Sequence, residues 1–379
     1  MTTPTILHCA LTREDDGSVP YILGFHRRGD VGSGFRPRFV SFFDRGSTWP
    51  EGVTLAGHGW ETIGALRRRF AAAARAAAAD VAIYHDGWGV DWFAPLDGAA
   101  RRIAVLHTER PHLDKLLRAR APQVDAFLSV SEGMADHVRR VLPDFPAERI
   151  RATPFFADAP AGLVARRPAG PVRFGYAGRI VQAQKRMERL PLLLAALDRR
   201  GVDYVFEVLG DGDYREKLQQ RLRSHPRVKF LGWQKGADYW RTLAGWRAIV
   251  LLSDFEGLSR AMLEGMIAGA VPVHPDFSPA AAELLGPAAS AGLYPVGAIE
   301  AAADRLAALA RRPAAEVEAL SAACRAHAGS KGIKDYFACF AGFVREILEA
   351  PSRARPVPPP RWHDGMLLGV YTRLFPLRF

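Results

Sequence analysis

The sequence predicts an α/β protein built from two doubly wound, Rossmann-like domains. Three observations carry this expectation. Short apolar runs, suited to strands buried on both faces of a parallel sheet, alternate with helical stretches in both halves of the chain. The 379 residues exceed what one hydrophobic core usually supports. A Pro- and Ala-rich stretch over residues 154–170 reads as a linker between the halves. The expected domains are residues 1–160 and residues 171–350, followed by residues 351–379 as a proline-rich linker and a terminal helix.

In the first half, strands are expected at residues 21–24, 81–84, 103–106 and 126–130, with helices near residues 62–79, 111–119 and 131–142. Ser131 suits an N-cap, and Glu132 suits the first turn behind it. His107, in Leu106-His107-Thr108-Glu109, stands at the end of a strand; a histidine there serves packing as readily as ligand binding. His85, Asp86 and Glu109 are further polar candidates on the same side, and residues 29–34 form a glycine-rich loop.

The second half opens with a strand at residues 172–177, then Gly178, Arg179 and, six residues on, Lys185. A helix is expected immediately after, with Leu190, Leu193, Leu194 and Leu197 on one face. Arg179 and Lys185 would flank its N-terminus, where free N–H groups and the helix dipole favour an anion. A forked guanidinium and a mobile ammonium together can clamp a diphosphate. In a chain with 51 Lys plus Arg, either cation alone carries little meaning.

A third strand at residues 205–209 ends in Gly210-Asp211-Gly212-Asp213, which is not the Gly-x-Gly-x-x-Gly dinucleotide fingerprint. A fourth, at residues 227–231, ends in Gly232-Trp233-Gln234, where Trp233 is either a stacking wall for a nucleobase or part of the core. Two carboxylates follow. Residues 248–252 and 271–273 read as buried strands, and between them Ser259 can cap a helix that carries Met262, Leu263, Met266 and Ile267 inward and ends at Gly269. Glu256 then lies in the loop at a strand's carboxyl end and Glu264 on the next helix, beside the crevice where open parallel sheets bind ligands. The spacing has a plainer reading as well: Glu264 lies four residues after Arg260, as in an exposed helix ion pair, and Glu256 could be a solvated loop acid.

The ordered set resembles the C-terminal half of retaining GT-B glycosyltransferases, glycosyltransferase family 4. It comprises Gly178-Arg179 with Lys185, the Leu209-Gly210-Asp211-Gly212 turn, Phe230-Leu231-Gly232, Ser253 through Glu256-Gly257, Glu264, Gly269 and Pro272-Val273, and spans roughly residues 172–348. The resemblance implies two domains facing each other across a cleft. It implies that Arg179 and Lys185 hold the donor diphosphate, that Glu264 holds the nucleotide ribose, and that Glu256 and His107 contact the donor sugar. The implied donor-binding residues are Gly178, Arg179, Lys185, Gly210, Trp233, Glu256, Gly257, Leu258 and Glu264; the implied catalytic ones are Glu256, Arg179, Lys185 and His107. In the first half the resemblance thins, since the family's glycine-rich loop near the first strand is matched only by residues 29–34.

Composition bounds the remaining classes. Apolar content of 49% and charged content of 24% suit a soluble globular protein. The start of the chain lacks the pattern of a signal peptide, and no run approaches the 18 or more apolar residues of a transmembrane helix. Cys9, Cys324 and Cys339 are scattered, without metal-ligand spacing, as reduced cytoplasmic thiols would be. The net charge of +11 comes without any recognition-helix, zinc or RNA-binding pattern, so nucleic acid is set aside. An anionic membrane surface is the other partner such charge suggests, at about 1 kcal/mol per cation near the lipid. The candidate segments are residues 66–70 and a tail bearing Arg353, Arg355, Arg361, Arg373 and Arg378; an Arg-rich solvated face explains them equally. Residues 366–375 read as a short amphipathic helix whose Met366, Leu367, Val370, Tyr371 and Leu374 pack on the first domain or dip into a membrane interface.

The expected activity is retaining transfer of a sugar from a UDP- or GDP-linked donor to a saccharide, lipid or small-molecule acceptor, in cell-envelope polysaccharide or glycolipid synthesis. No metal or other cofactor is required. The expected location is the cytoplasm, with the inner face of the cell membrane as an alternative. A rival of another class is a non-catalytic relative that binds a nucleotide sugar, a membrane or a protein partner. A dehydrogenase is disfavoured by the missing glycine fingerprint, and a glycosidase by the phosphate clamp.

Overall fold

A computed structural model describes residues 3–12, 17–28, 34–42, 49–55, 60–163, 169–355 and 366–367. The chain divides into two compact units, one of Met1–Pro154 with Lys334–Phe379 and one of Phe155–Ile333. Each is a parallel sheet flanked by helices.

In the first unit the strands are β1 (Thr5–Ala10), β2 (Arg36–Ser41), β3 (Gly52–Thr54), β4 (Val81–His85), β5 (Arg101–Leu106), β6 (Ala126–Ser129) and β7 (Ile150–Ala152). They lie in the order β3-β2-β1-β4-β5-β6-β7, each neighbouring pair parallel, so the order reverses between β1 and β4. The expected strand at residues 21–24 is instead part of a helix, Ser18–Arg28. Its apolar run is too short to separate the two forms by periodicity, and Pro20 sits comfortably in a first helical turn. Interior strand β1, where the order reverses, is passed over by the apolar-run criterion because His8 interrupts it; all six of its residues are buried.

Two helix starts follow local chemistry. The Thr62 hydroxyl accepts from the Ala65 N–H at 3.2 Å, and Ser131 does the same for Met134 at 3.1 Å. Ile63 N donates to Met366 O at 3.1 Å, and Thr62 pairs with Leu367 in an isolated antiparallel bridge. Met366 also packs against the first unit's core. Val370, Tyr371 and Leu374 lie outside the described residues, as do residues 29–33 of the glycine-rich loop.

The helix Ile333–Glu349 falls in the first unit, whereas the sequence expectation ran the second domain to residue 350. Tyr336, Phe337 and Phe340 draw it there by packing on His26. Arg101 donates to the carbonyls of Ile347, Leu348 and Ala350 and so satisfies the helix's free C-terminal acceptors. The tail arginines differ from the expected free basic segment. Arg353 donates to the Ala121 and Val124 carbonyls and lies over the Phe145 ring, and Arg355 pairs with Asp125. Asp125 is fully buried and needs that counter-charge. Arg361, Arg373 and Arg378 lie outside the described residues.

The second unit contains β8 (Val172–Ala177), β9 (Tyr204–Leu209), β10 (Val228–Gly232), β11 (Ala248–Val250), β12 (Val271–Asp276) and β13 (Leu293–Pro295). Their order is β10-β9-β8-β11-β12-β13, all parallel, with the reversal between β8 and β11. Leu190, Leu193, Leu194 and Leu197 of the helix Leu190–Arg199 are each 0% exposed, and burying each contributes on the order of 2 kcal/mol. Trp246 lies so close over β8 that a Cβ on Gly175 would stand 2.1 Å from its ring. Its indole N–H is satisfied by Glu207, at 2.8 Å. Among the described residues no helix is long and apolar enough to cross a membrane.

Candidate functional site

The strand order of the second unit places two loops at one crevice. The loop after β8 begins with Gly178-Arg179, the loop after β11 carries Ser253 to Glu256, and β8 and β11 are the strands between which the order reverses. Ligands in open α/β sheets bind at such a point.

The turn after β8 is held by its own backbone. Tyr176 Oη donates to Arg179 O at 2.6 Å, and Gly178 N donates to Leu209 O at 3.0 Å. Gly210, at φ +139°, explains its own residue type: a Cβ there would stand 1.9 Å from Gly178 O. Its N–H donates to Gly232 O at 2.8 Å, which ties the ends of β8, β9 and β10 together.

Lys185 and Glu256 form the centre of the site. Lys185 Nζ lies 2.6 Å from Glu256 Oε1, with side chains only 14% and 7% exposed. Ser253 Oγ donates to the same oxygen at 2.6 Å, and Gln184 Nε2 donates to Oε2 at 3.1 Å. Arg179 Nη2 reaches Gln184 Oε1 at 3.2 Å, so Arg179, Gln184, Glu256 and Lys185 form one connected network. The two loops are also laced beside it: Asp254 pairs with Arg186 and Arg189, and Arg189 donates to Leu252 O at 2.8 Å. A lysine held by a carboxylate at a strand's carboxyl end is ready to receive phosphate oxygens without first being ordered.

One local expectation differs. No regular helix starts directly behind Lys185; a left-handed residue, Arg186, leads into a single 3₁₀ turn at Met187–Arg189, and the helix begins at Leu190. Pro191 near its start and the ion pairs around Asp254 impose that break.

Glu264 occupies the helix Arg260–Ile267. It pairs with Arg260 at 3.4 Å, but the pair is not the exposed one that spacing alone permits, since the Glu264 side chain is 8% exposed. The Tyr239 hydroxyl donates to Oε2. Burial pushes the Glu264 pKa up, offset in part by Arg260 and by the Tyr239 hydrogen bond. Ser259 stands at the N-cap position of this helix yet makes no side-chain cap hydrogen bond, and Gly269 beyond its end adopts φ +96°. Trp233 is 40% exposed just past β10, and Leu258 packs against the second unit's core. Gly257 follows Glu256 in the loop.

Gln184, Ser253 and Tyr239 hold the charged groups; the sequence pattern includes Ser253 without giving it a role and does not single out Gln184 or Tyr239. Gln184 neighbours Lys185 in the chain, but nothing in its type or spacing marks it. His274, buried within β12, is not singled out by the sequence either; burial brings its pKa down to about 4, and Glu256 and Lys185 are close enough to act on it.

In the first unit His107 follows β5. Its backbone N donates to Asp86 Oδ1 at 2.8 Å, and Asp86 Oδ2 pairs with Arg110 at 2.9 Å. Glu109 is half-buried nearby in the chain. A cavity at this end of the sheet is lined by Asp86, Trp88, Leu106, Thr108, Arg110 and Arg120. The His107 ring is buried and meets His85, which in turn meets His8. Burial pushes the pKa of His8, His85 and His107 below the usual histidine range, and that of His26 down to about 3. Neighbouring histidines add to the shift at His8, His85 and His26; at His107 Asp86 opposes it and Arg110 reinforces it. A folded pKa below the unfolded value gives stability that is intact above about pH 6.5 and is lost as pH falls, at about 1.4 kcal/mol per ring per pH unit. Urea midpoints for the first unit are therefore expected to fall steeply between about pH 6.5 and 5. A flat profile over that range would contradict the neutral state of these rings.

Comparison with known proteins agrees with this architecture. Residues 171–312 match the family model described as glycosyl transferases group 1. No curated protein matches the chain. Among solved structures, it is similar to the lipopolysaccharide outer core galactosyltransferase WaaB in its apo form (TM-score 0.67, 18% identity, covering 90% of this chain and 99% of that one). It is also similar to the pneumococcal O-GlcNAc transferase GtfA in complex with UDP and GlcNAc (TM-score 0.69, 10% identity, 92% and 100% covered). A third similar structure is Anabaena Alr3699/HepE in complex with UDP and glucose (TM-score 0.69, 17% identity, 91% and 99% covered). The chain is therefore a GT-B-fold protein whose second unit matches glycosyl transferases group 1 over residues 171–312.

Proposed function

We propose that this protein is a retaining, metal-independent glycosyltransferase that moves a sugar from a nucleotide diphosphate to an acceptor. The observation that carries the reading is the Arg179–Gln184–Glu256–Lys185 network at the point where the second unit's strand order reverses. In this reading Arg179 and Lys185 bind the diphosphate and Glu264 binds the ribose. Trp233 lines the base, and Glu256 and His107 position the sugar. Gly178, Gly210, Gly257 and Leu258 shape the backbone around the donor. The C1–phosphate oxygen bond breaks while the acceptor oxygen attacks from the same face. The acceptor's hydroxyl proton passes to a leaving phosphate oxygen, so no protein base and no metal is required. Charge builds on the departing diphosphate, and preorganised cations lower the barrier there.

Uridine-linked donors are the first to test, because two similar structures hold UDP, and guanosine-linked donors are the second. The acceptor, a saccharide, lipid or small molecule of envelope glycan synthesis, is assigned to the first unit, with the cavity beside Asp86 and Arg110 as the candidate contact. The proposed location is cytoplasmic, at an anionic membrane surface. There Trp60, 86% exposed, and Arg68 on the helix Ile63–Ala77 would meet lipid. Co-sedimentation with anionic vesicles that salt abolishes is expected, and equal recovery with neutral vesicles would remove the membrane from the account.

A panel of nucleotide sugars tests the function. A bound donor stabilises the folded protein by about 2.7 kcal/mol at a hundredfold excess over Kd, which reads as a raised Tm. Acceptor-dependent release of nucleotide diphosphate, undiminished by a chelator, is the expected result. Binding without release would identify a non-catalytic relative, and no binding by any donor would sink the proposal.

A further inference from the structure

A buried polar atom of the second unit has no use in the sugar transfer described above. His274, on β12, is 1% exposed, and its Nδ1 lies 2.7 Å from Pro275 O. A carbonyl oxygen only accepts, so Nδ1 carries the proton and Nε2 of the neutral ring is a bare lone pair. Among the described residues that Nε2 is buried and has no hydrogen-bond partner.

Strand register brings the ring to the charged network. Val250 pairs with Val273, and Leu251 N donates to Val273 O at 3.0 Å, which sets His274 beside Leu251. Two residues beyond Leu251 comes Ser253, whose Oγ holds Glu256 Oε1 at 2.6 Å. Burial is the largest influence on the ring and holds its pKa at about 4. The Pro275 hydrogen bond, Glu256 and Asp276 pull it up and Lys185 pushes it down, so the ring is neutral near pH 7.

His274 Nε2 lacks a donor, and Lys185 has donors to spare. An ammonium carries three N–H groups, and among the described residues Lys185 places one of them, on Glu256 Oε1 at 2.6 Å. Glu256 does not depend on that lysine, since Ser253 shares Oε1 and Gln184 Nε2 holds Oε2 at 3.1 Å. The ammonium can therefore leave the carboxylate without baring it. A bound diphosphate draws two of its N–H groups to phosphate oxygens, and the third still needs an acceptor. A carboxylate in that place would neutralise the charge meant for phosphate. A neutral imidazole accepts the hydrogen bond and leaves the charge whole.

We propose that His274 is a positioning residue that accepts an N–H of Lys185 on Nε2 when a nucleoside diphosphate draws the ammonium off Glu256, so that the cation stays fixed and undiminished on the phosphate. The ligand is that of the sugar-transfer reading, on which this role rests.

Two replacements separate the two ring nitrogens. His274→Asn keeps an N–H for the Pro275 carbonyl and has no acceptor at the Nε2 position. His274→Gln places an amide oxygen near the Nε2 position and gives up the bond to Pro275. UDP and then GDP are titrated calorimetrically into the parent and both variants, each checked for a cooperative thermal transition. Kd is expected to rise about tenfold or more in His274→Asn, as when a charge-assisted hydrogen bond is lost, and His274→Gln should recover parent-like binding. In transfer assays His274→Asn should raise KM for the nucleotide sugar more than it lowers kcat. A histidine with a structural role alone gives the reverse order, with Asn near the parent and Gln impaired, and that result overturns the proposal. Nitrogen-15 histidine NMR of the parent decides the matter should either variant not fold, with the His274 signal assigned by its loss on replacement. Nε2 is expected unprotonated in the free protein and shifted by an accepted hydrogen bond at saturating diphosphate. A protonated Nε2, or a signal that saturating diphosphate leaves unmoved, also overturns it. If neither diphosphate binds the parent, the sugar-transfer reading itself fails and this role falls with it; if one binds and His274→Asn matches the parent, only this role falls.

Discussion

Lys185→Ala should lower kcat/KM for sugar transfer by about 10²- to 10⁴-fold, most of it in kcat. Removing one preorganised charge-stabilising group from a reaction centre costs about 10²–10³ in kcat, and a cation facing a leaving diphosphate meets more developing charge than a single amide does. Stability should suffer less. Glu256 keeps Ser253 and Gln184 as donors when the ammonium is gone, so the carboxylate is not left bare. The loss is expected at about 1–3 kcal/mol, toward or below the lower end for breaking a buried pair. Steady-state kinetics and urea unfolding on the same preparation separate the two. Near-normal turnover in a folded Lys185→Ala protein would remove Lys185 from the chemistry. Glu256→Gln makes the complementary point: it keeps hydrogen-bonding capacity but releases the lysine, and it should lose turnover through a higher donor KM as well as a lower kcat.

Glu264→Gln should change affinity and stability in opposite directions. Burial holds the Glu264 pKa above its usual range, so the ionised form is disfavoured in the folded state. A group with a raised folded pKa contributes stability that is fully present below its unfolded pKa and lost as pH rises through the folded one. At neutral pH the native protein therefore carries a cost that glutamine does not, and glutamine still accepts from the Tyr239 hydroxyl. The variant's Tm should match or exceed the parent's at pH 7, and the two should converge toward pH 4, near the unfolded glutamate value. Nucleotide affinity should fall about 10- to 100-fold, because an amide offers one oxygen where a carboxylate offers two to a ribose diol. A variant that is both less stable and fully able to bind nucleotide would reverse the assignment on both counts.

Much of this could be read in the chain because the second unit builds its site from local segments. The leucine face of the helix Leu190–Arg199 is a periodic pattern, and periodic patterns survive without tertiary knowledge. The turn at Gly178-Arg179 and the loop carrying Glu256 follow directly on apolar strands, so their place at the carboxyl ends was legible. Gln184 was not, and the role of Ser253 was not, since both lie in contacts with Glu256, which for Gln184 is 72 positions away. The first unit was harder for the same reason. His8 breaks the apolar run of β1, and only its partnership with His85, 77 residues on, makes a polar residue tolerable there. The fate of the helix Ile333–Glu349 also lies in long-range packing, in aromatic contacts with His26 that no local window contains. Basic residues misled in a similar way: Arg353 and Arg355 look like a lipid-seeking tail, yet the Arg353 guanidinium donates to the Ala121 and Val124 carbonyls and Arg355 pairs with buried Asp125.

The central claim is that the Arg179–Lys185–Glu256 network is a nucleotide diphosphate site. Calorimetric titration of UDP, and then GDP, into the parent protein, Arg179→Ala and Lys185→Ala tests it most directly. Saturable binding of at least one diphosphate to the parent is expected, with a loss of about 10²-fold or more in each variant, as when a charge-assisted phosphate contact is removed. Binding of equal strength in all three proteins, or in none, would contradict it.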